Sequence, residues 1–316
     1  MKEIRLARGV WLLLSAGLLI QVLPLQAAAD ELPKAGLFAR SNLVAWCIVP
    51  FDAKKRGPEE RAQMLERLGF KFFAYDYRAE HIPSFEAEIQ ALQRHRITLL
   101  AWWFPTTLNE EAKLILNLLK RQELRPQLWV MGGGELIPTG NANAEAQRGR
   151  VESEAERIQP IAEAAAKIGC KVGLYNHGGW FGEPENQLAI LEKLRGLGIR
   201  NVGLVYNLHH GHAHIRRFPE LMKKMKPDLL ALNLNGMDPD GETSGRQILP
   251  LGEGKLDLTL LQMIEQSGWR GPIGILNHTD EDAEARLQEN LHGLARLASQ
   301  LVQQRAAGAE ASTPSK

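Results

Sequence analysis

Eight short apolar segments recur along the chain, and each is followed by a segment with the apolar period of an amphipathic helix. Strands are predicted at residues 42–49, 70–77, 97–104, 127–131, 171–175, 201–206, 229–234 and 272–276. Helices are predicted at residues 58–68, 85–95, 108–122, 152–168, 185–197, 215–225, 257–267 and 280–303. Near-continuous apolar strands that alternate with helices form parallel sheets covered on both faces. The pattern therefore predicts an α/β fold, a single (β/α)8 TIM barrel over residues 40–303.

A doubly wound open sheet is the alternative architecture for such an alternation. It usually has fewer strands and a glycine-rich first turn that binds phosphate, whereas the first turn here reads Val49-Pro-Phe-Asp52. The later run Gly132-Gly-Gly134 lacks the Lys and Ser/Thr of a phosphate-binding loop. We therefore favour the barrel, predict no nucleotide cofactor, and interpret the glycine run as a tight turn that brings Glu135 to the cleft.

The first 29 residues have the pattern of a secretory signal peptide. Positive side chains within the first eight positions precede an apolar run at residues 10–25, and Gln26-Ala-Ala-Ala29 follows it. Small residues suit a leader peptidase, so we expect cleavage after Ala29 and export to the periplasm or the extracellular space. An uncleaved membrane anchor is the alternative, because the run is nearly long enough to span a bilayer. No later run has that length, and residues 304–316 are predicted to form a disordered tail.

The charges of the chain argue against one class of partner. Its 38 Lys and Arg residues nearly balance its 37 Asp and Glu residues, whereas nucleic-acid-binding proteins usually carry a basic face. No nucleic-acid partner is therefore predicted. The two cysteines, Cys47 and Cys170, are predicted to be free thiols, because one lies within a strand and the other lies at the far end of another strand.

Polar and aromatic side chains are concentrated where the predicted strands end, which is the face of a barrel that carries the chemistry. The segment from Val205 to His214 follows the sixth strand and holds four of the nine histidines. His210 is predicted to reach the cleft, although the spacing does not separate it from His209. His212 and His214 are predicted to lie at the surface or behind the site.

Four segments in the second half of the chain share a pattern with a known family. They are Tyr175-Asn-His177, Asn207-Leu-His-His210, Asn233-Leu-Asn235 and Pro250-Leu-Gly-Glu-Gly254, of which the last is the most specific. Together they resemble the strand ends of the xylose isomerase-like barrel superfamily, which includes sugar isomerases, sugar epimerases and the family-2 AP endonucleases. The resemblance implies a (β/α)8 barrel that acts on sugars.

The chain departs from this family at the positions that bind a metal ion. Members generally hold one divalent metal with a Glu, an Asp, a His and a Glu at the ends of strands five to eight. The matching positions here are Tyr175, Asn207, Asn233 and either Leu276 or Asn277. Because Mg²⁺ and Mn²⁺ require anionic oxygen ligands, we expect neither ion at these positions.

Three histidines follow strands five, six and eight, close to the lost ligands. His177, His210 and His278 suggest a site for one divalent transition metal, Zn²⁺, Fe²⁺ or Ni²⁺, since three imidazoles with an open position suit these ions. The alternative is that they are hydrogen-bonding residues of a polar cleft that holds no metal.

A cleft lined by His, Asn, Tyr and Glu can bind a polyol and can remove a proton next to a carbonyl group. We predict that Glu135, His177 and His210 are catalytic. The residues predicted to bind substrate are Asp76, Tyr175, Asn176, Trp180, Asn207, Asn233, Asn235, Arg246 and Glu253.

These residues predict an exported carbohydrate-active enzyme of the sugar isomerase or epimerase type, with a small carbohydrate as substrate. Isomerisation, epimerisation and β-elimination of a keto-sugar all begin with proton abstraction next to the carbonyl. The alternative is a non-catalytic sugar-binding barrel that has lost the family metal site. A nuclease is disfavoured, because the family-2 endonucleases hold a zinc cluster with carboxylates that this chain lacks.

Overall fold

The structure is a computed structural model that describes residues 31–138, 140 and 143–311. The signal peptide predicted at residues 1–29 and the last part of the predicted tail, residues 312–316, lie outside the described residues. Among the helices that are described, none is long and apolar enough to cross a membrane.

Eight parallel strands close into a barrel in chain order, with the last strand paired to the first. The strands are β1 (Leu43–Trp46), β2 (Phe72–Tyr75), β3 (Thr98–Phe104), β4 (Gln127–Val130), β5 (Lys171–Tyr175), β6 (Val202–Asn207), β7 (Leu229–Leu234) and β8 (Ile273–Leu276). Each lies within a few residues of its predicted position. The predicted (β/α)8 barrel is confirmed by this closed strand order. Short apolar strands that are buried on both faces suit such a barrel, in which helices cover the outside of the sheet.

Helices separate the strands and cover the barrel. They are α1 (Pro58–Arg67), α2 (Phe85–Arg94), α3 (Glu110–Arg121), α4 (Ala144–Ala166), α5 (Gly179–Gly182), α6 (Pro184–Gly196), α7 (Phe218–Met225), α8 (Gly241–Ser244), α9 (Asp257–Gln266) and α10 (Ala283–Ala311). Two bounds differ from the sequence prediction by more than three residues. The helix α4 begins before residue 152, and α10 continues past residue 303, where the disordered tail was predicted to begin. Both extensions are rich in Ala, Glu, Gln and Arg, which favour helix without an apolar period.

The barrel interior is filled by aromatic side chains. Trp46, Trp103 and Trp129 pack there, with ring centres 4.1 Å apart for Trp46 and Trp129 and 4.7 Å apart for Trp103 and Trp129. A side chain on Gly274 would place its Cβ 2.3 Å from the Trp46 ring, so the glycine makes room for the indole. Trp102 points to the opposite side and packs against the helices, as alternation along a strand requires.

Buried charges in the helical layer are paired with opposite charges. Arg61 on α1 donates to the carboxylate of Glu88 on α2, and both side chains are buried. On α4 the buried carboxylate of Glu154 accepts from Arg157 at 2.7 Å. The two cysteines are buried and unbonded, so the prediction of free thiols is confirmed.

Candidate active site

Four histidines meet at the carboxyl end of the barrel, the end predicted to carry the site. His177 follows β5, His209 and His210 follow β6, and His278 follows β8. The ring centres lie 4.5 Å apart for His177 and His210, 4.4 Å for His209 and His210, and 5.1 Å for His209 and His278. We call these four side chains the histidine row. The structure thus brings together His177 and His210, the two histidines predicted to be catalytic.

The histidine row is uncharged at neutral pH. Burial lowers the pKa of each of the four imidazoles, and repulsion between neighbouring rings lowers it further for His209, His210 and His278. The pKa falls to about 4 for His209 and to about 2 for His210. Each neutral imidazole offers one N–H donor and one acceptor nitrogen. The row can therefore donate to an oxygen and can also accept a proton.

A hydrogen-bonded network of neutral groups forms at the strand ends that the sequence resemblance matches to the family's metal ligands. The Asn207 Nδ2 donates to the Tyr175 hydroxyl at 2.6 Å, and the Asn233 Nδ2 donates to the Asn207 Oδ1 at 2.6 Å. The main-chain N–H of His209 donates to the same Oδ1 at 3.0 Å. All three side chains of the network are buried.

This network does not fit a hard divalent cation. Its oxygens are neutral, and the amide oxygen of Asn207 already accepts two hydrogen bonds, so no anionic donor offsets the cost of dehydrating Mg²⁺ or Mn²⁺. At the fourth position, the Asn277 Nδ2 donates to the main-chain oxygen of Phe51 at 3.1 Å. Across the described residues, no group of three or more His, Cys, Asp or Glu side chains is arranged to hold a metal ion.

The opposite side of the mouth carries a buried carboxyl group, that of Asp76, next to an exposed arginine, Arg78. The Asp76 carboxyl, after β2, accepts from the Val49 main-chain N–H at 3.3 Å, and burial raises its pKa to about 7. Burial and the neighbouring Asp76 raise the pKa of the Cys47 thiol. Cys47 has a φ of 55°, a left-handed conformation that is unfavourable for a residue with a side chain. Arg78 lies exposed next to this pair.

Two of the predicted substrate-binding asparagines bond the main chain instead. The Asn176 Oδ1 accepts from the Asn207 N–H at 2.6 Å, and its Nδ2 donates to the Asn207 carbonyl at 3.1 Å. The Asn235 Nδ2 donates to the carbonyl of Gln247 at 2.8 Å. Both side chains are buried, so they fix the backbone of the strand ends around the site.

Four further predicted residues form no hydrogen bond with the histidine row among the described residues. Glu135 is exposed on the loop after β4 and has no hydrogen bond to the row among the described residues. Trp180 is 1% exposed and donates to the Gln147 side chain at 2.7 Å, as one wall of a side cavity of about 760 Å³. Arg246 is exposed and pairs with Asp238 at 2.6 Å, and Glu253 is exposed on a nearby turn.

Three residues at the mouth were missing from the predicted set. Arg78 places its guanidinium carbon 5.7 Å from the centre of the Phe51 ring, and Phe51 stacks on His278 with ring centres 4.0 Å apart. His209 links His210 to His278. All three lie within a few residues of the carboxyl end of a strand, which is where a barrel carries its site. This position in the sequence could have identified them as site residues.

The sequence matches a family model described as xylose isomerase-like TIM barrel over residues 62–297. No curated protein is significantly similar to the chain.

Solved structures of the same architecture resemble the chain at low sequence identity. A zinc-bound IOLI protein has a TM-score of 0.62 and 15% identity, and the match covers 82% of this chain and 98% of that one. The 3-keto-D-glucoside 4-epimerase from E. coli has a TM-score of 0.57, 13% identity and coverage of 82% and 99%. The D-allulose 3-epimerase from Methylomonas sp. has a TM-score of 0.55, 16% identity and coverage of 87% and 99%. At these identities the likeness establishes the fold.

Proposed function

The chain belongs to the xylose isomerase-like TIM barrel family, and from that premise we propose that it is a sugar isomerase or epimerase-type enzyme that removes a proton next to the carbonyl of a keto-sugar. One observation carries the proposal. The uncharged imidazoles of His177 and His210 adjoin at 4.5 Å at the carboxyl end of the barrel, where barrel enzymes do their chemistry. The sugar epimerases among the similar structures favour the same reaction class.

His177 is the proposed base. Its side chain opens to solvent at the mouth, and partial desolvation by the surrounding cleft is the main cause of its lowered pKa, so the ring is neutral and can accept a proton at pH 7. The ring takes the proton from the carbon next to the carbonyl, and the electron pair of that bond moves toward the carbonyl oxygen. An enediolate results, and the proton is now on His177.

His210 is the proposed donor to the developing oxyanion. Its pKa of about 2 makes it a weak base, but its neutral ring keeps one N–H that can bond to oxygen. Return of the proton to the former carbonyl carbon, with a proton moved from the adjacent hydroxyl to the former carbonyl oxygen, gives an isomer. Delivery of a proton from solvent to the opposite face of the original carbon, with His177 releasing its own proton to solvent, gives an epimer. Loss of a leaving group from the next carbon gives elimination. Glu135 receives no step, because it has no hydrogen bond to the histidine row among the described residues.

Aromatic side chains are proposed to form the floor for the sugar ring. Trp103 is 9% exposed and meets the Tyr175 ring edge to face, with ring centres 5.5 Å apart. Tyr175 in turn lies 5.9 Å from His210. Apolar faces of this kind pack against the C–H groups of a sugar, and this floor would hold a substrate carbonyl beside the row.

A transition metal held by His177, His210 and His278 is a separate proposal, and the proton transfer does not depend on it. Neutral imidazoles are the ligand form for Zn²⁺, Fe²⁺ or Ni²⁺, which supports the proposal, but His278 adjoins His209 and would have to move toward His177. Elemental analysis of the purified chain beside His210→Ala tests it. A near-stoichiometric metal that the variant loses supports the site, and no metal in either protein overturns it.

A second candidate function is a sugar-binding barrel without catalysis. The observation that favours it is the neutral network of Tyr175, Asn207 and Asn233, which stands where metal ligands would polarise a substrate. Such a barrel would bind sugars but would never exchange their carbon-bound protons.

Proton exchange separates the two functions. Keto-sugars, for example D-allulose, a 3-keto-glucoside and 5-keto-D-gluconate, are incubated with the chain in deuterium oxide, and loss of the C–H signal is followed by NMR. If the chain is an enzyme, it should accelerate deuterium exchange at the carbon next to the carbonyl of at least one of these sugars. If the sugars bind but none of them exchanges this C–H proton, the chain is a non-catalytic sugar-binding barrel.

Export is also proposed, on the pattern of residues 1–29. Expression of the full chain in a bacterium, followed by N-terminal sequencing of the periplasmic protein, is expected to give Asp30 as the first residue. A cytoplasmic protein that retains Met1 would contradict it.

A further inference from the structure

Arg78 is a cation at the mouth that no carboxylate neutralises. Its Nη1 donates to the main-chain oxygens of Asp76 and Tyr77, each at 2.9 Å, and these bonds fix the plane of the guanidinium. Among the described residues, no carboxylate lies within 4.0 Å of its nitrogens, and its Nε and Nη2 have no hydrogen-bond partner. One N–H edge of the guanidinium, formed by Nε–H and Nη2–H, is therefore available to a ligand.

Phe51 connects the guanidinium to the histidine row. Phe51 lies between them, 5.7 Å from the guanidinium carbon of Arg78 and 4.0 Å from the His278 ring. The charge of Arg78 also helps to lower the pKa of both His177 and His278. The guanidinium and the proposed base therefore belong to one cleft.

The acids near this cleft do not cancel the positive charge. Asp76 is 2% exposed, and because burial raises its pKa to about 7 it is only partly ionised at neutral pH. Asp280, after β8, is exposed, and its negative charge acts to raise the pKa of His278. Among the described residues, neither acid forms an ion pair with Arg78, so no carboxylate occupies its free N–H edge.

We propose that the mouth takes a sugar that carries an anionic group, a carboxylate or a phosphate, which bonds to the free Nε–H and Nη2–H edge of Arg78. Guanidinium forks match both anions with paired N–H bonds. The sugar hydroxyls and carbonyl then lie over the histidine row. The inference rests on the proposed function, because it names the substrate class of the same site.

Sugar derivatives without a keto or aldehyde group test the binding of an anion separately from any reaction. Calorimetric titration with D-gluconate, D-glucitol 6-phosphate and neutral D-glucitol compares wild type with Arg78→Gln and Arg200→Gln. Arg200 is the matched control, since it is an exposed arginine whose guanidinium also bonds a main-chain carbonyl, but it precedes β6 at the other end of the barrel.

At least one anion is expected to bind tenfold or more tightly than D-glucitol, to lose roughly tenfold or more of its affinity in Arg78→Gln, and to keep it in Arg200→Gln. The preferred anion tells a carboxylate substrate from a phosphate one. If neither anion binds more tightly than D-glucitol, or if Arg78→Gln binds like wild type, the inference is overturned.

The exchange experiment keeps this inference distinct from the proposed function. If anions bind in a way that depends on Arg78 but no keto-sugar exchanges its C–H proton, the proposed enzymatic function is wrong and the proposed anion site stands. Equal exchange of a neutral keto-sugar by wild type and Arg78→Gln, with no preference for 5-keto-D-gluconate, would overturn the anion site and leave the enzyme.

Discussion

The helical layer and the mouth of the barrel treat buried charge in opposite ways. Between α1 and α2, the Glu88 carboxylate is bonded by Arg61, so each buried charge has its counterpart. At the mouth, the buried Asp76 carboxyl forms no ion pair with an arginine or lysine, and Arg78 has no carboxylate partner among the described residues. Ion pairs between buried groups belong to a scaffold, whereas charged groups without a counter-charge tend to persist where a ligand completes them.

Removing one partner from the paired region is expected to give the largest loss of stability. Glu88→Gln leaves Arg61 buried without a counter-charge, which typically costs about 3–5 kcal/mol in free energy of unfolding. Urea denaturation measures it. The double variant Arg61→Met with Glu88→Leu should recover most of the loss, and a single variant as stable as wild type would show that the pair is not needed.

At the mouth, the buried Asp76 carboxyl is expected to contribute to the free energy of unfolding in a way that depends on pH. Its carboxyl ionises near pH 4 in the unfolded chain and near pH 7 in the folded one, because burial raises the pKa. Between these values the folded chain keeps a proton that the unfolded chain has released. The stabilisation is therefore complete below about pH 4 and is lost as the pH rises through about 7, by roughly 4 kcal/mol.

The variant Asp76→Asn isolates this contribution. Cys47, Arg78 and Arg61 also face or influence the carboxyl, and they are unchanged in the variant. The difference in unfolding free energy between wild type and Asp76→Asn should shift in favour of the variant between pH 4 and pH 8. A difference that stays constant with pH would show that Asp76 ionises normally.

The neutral network gives a smaller expected effect. Tyr175→Phe removes the hydroxyl that accepts from Asn207 and leaves a buried N–H without its acceptor, which costs about 1–3 kcal/mol. Chemical denaturation at pH 7 measures the loss. Tyr77→Phe, whose hydroxyl bonds Glu111 in a partly buried position, is the comparison. A Tyr175→Phe chain at wild-type stability would mean that the network is looser than its distances indicate.

The fold could be predicted because its signal is repeated eight times and each strand is apolar throughout. The ends of α4 and α10 could not, since Ala- and Glu-rich segments read equally as helix or as polar loop. In the site, the strand-end rule selected His177 and His210 correctly as neighbours. It could not show that Asn176 turns to the backbone, that Trp180 is covered, or that Phe51 joins Arg78 to His278, because these depend on how loops pack.

The central claim is that His177 removes a carbon-bound proton of a keto-sugar. Its most direct test is the rate of deuterium exchange at the carbon next to the carbonyl, measured by NMR for wild type, His177→Gln and His292→Gln. His292 is exposed on α10 and serves as the control. We expect wild type and His292→Gln to exchange alike, and His177→Gln to be slower by about 10²–10⁴-fold with unchanged stability. Exchange by His177→Gln at the wild-type rate would contradict the account.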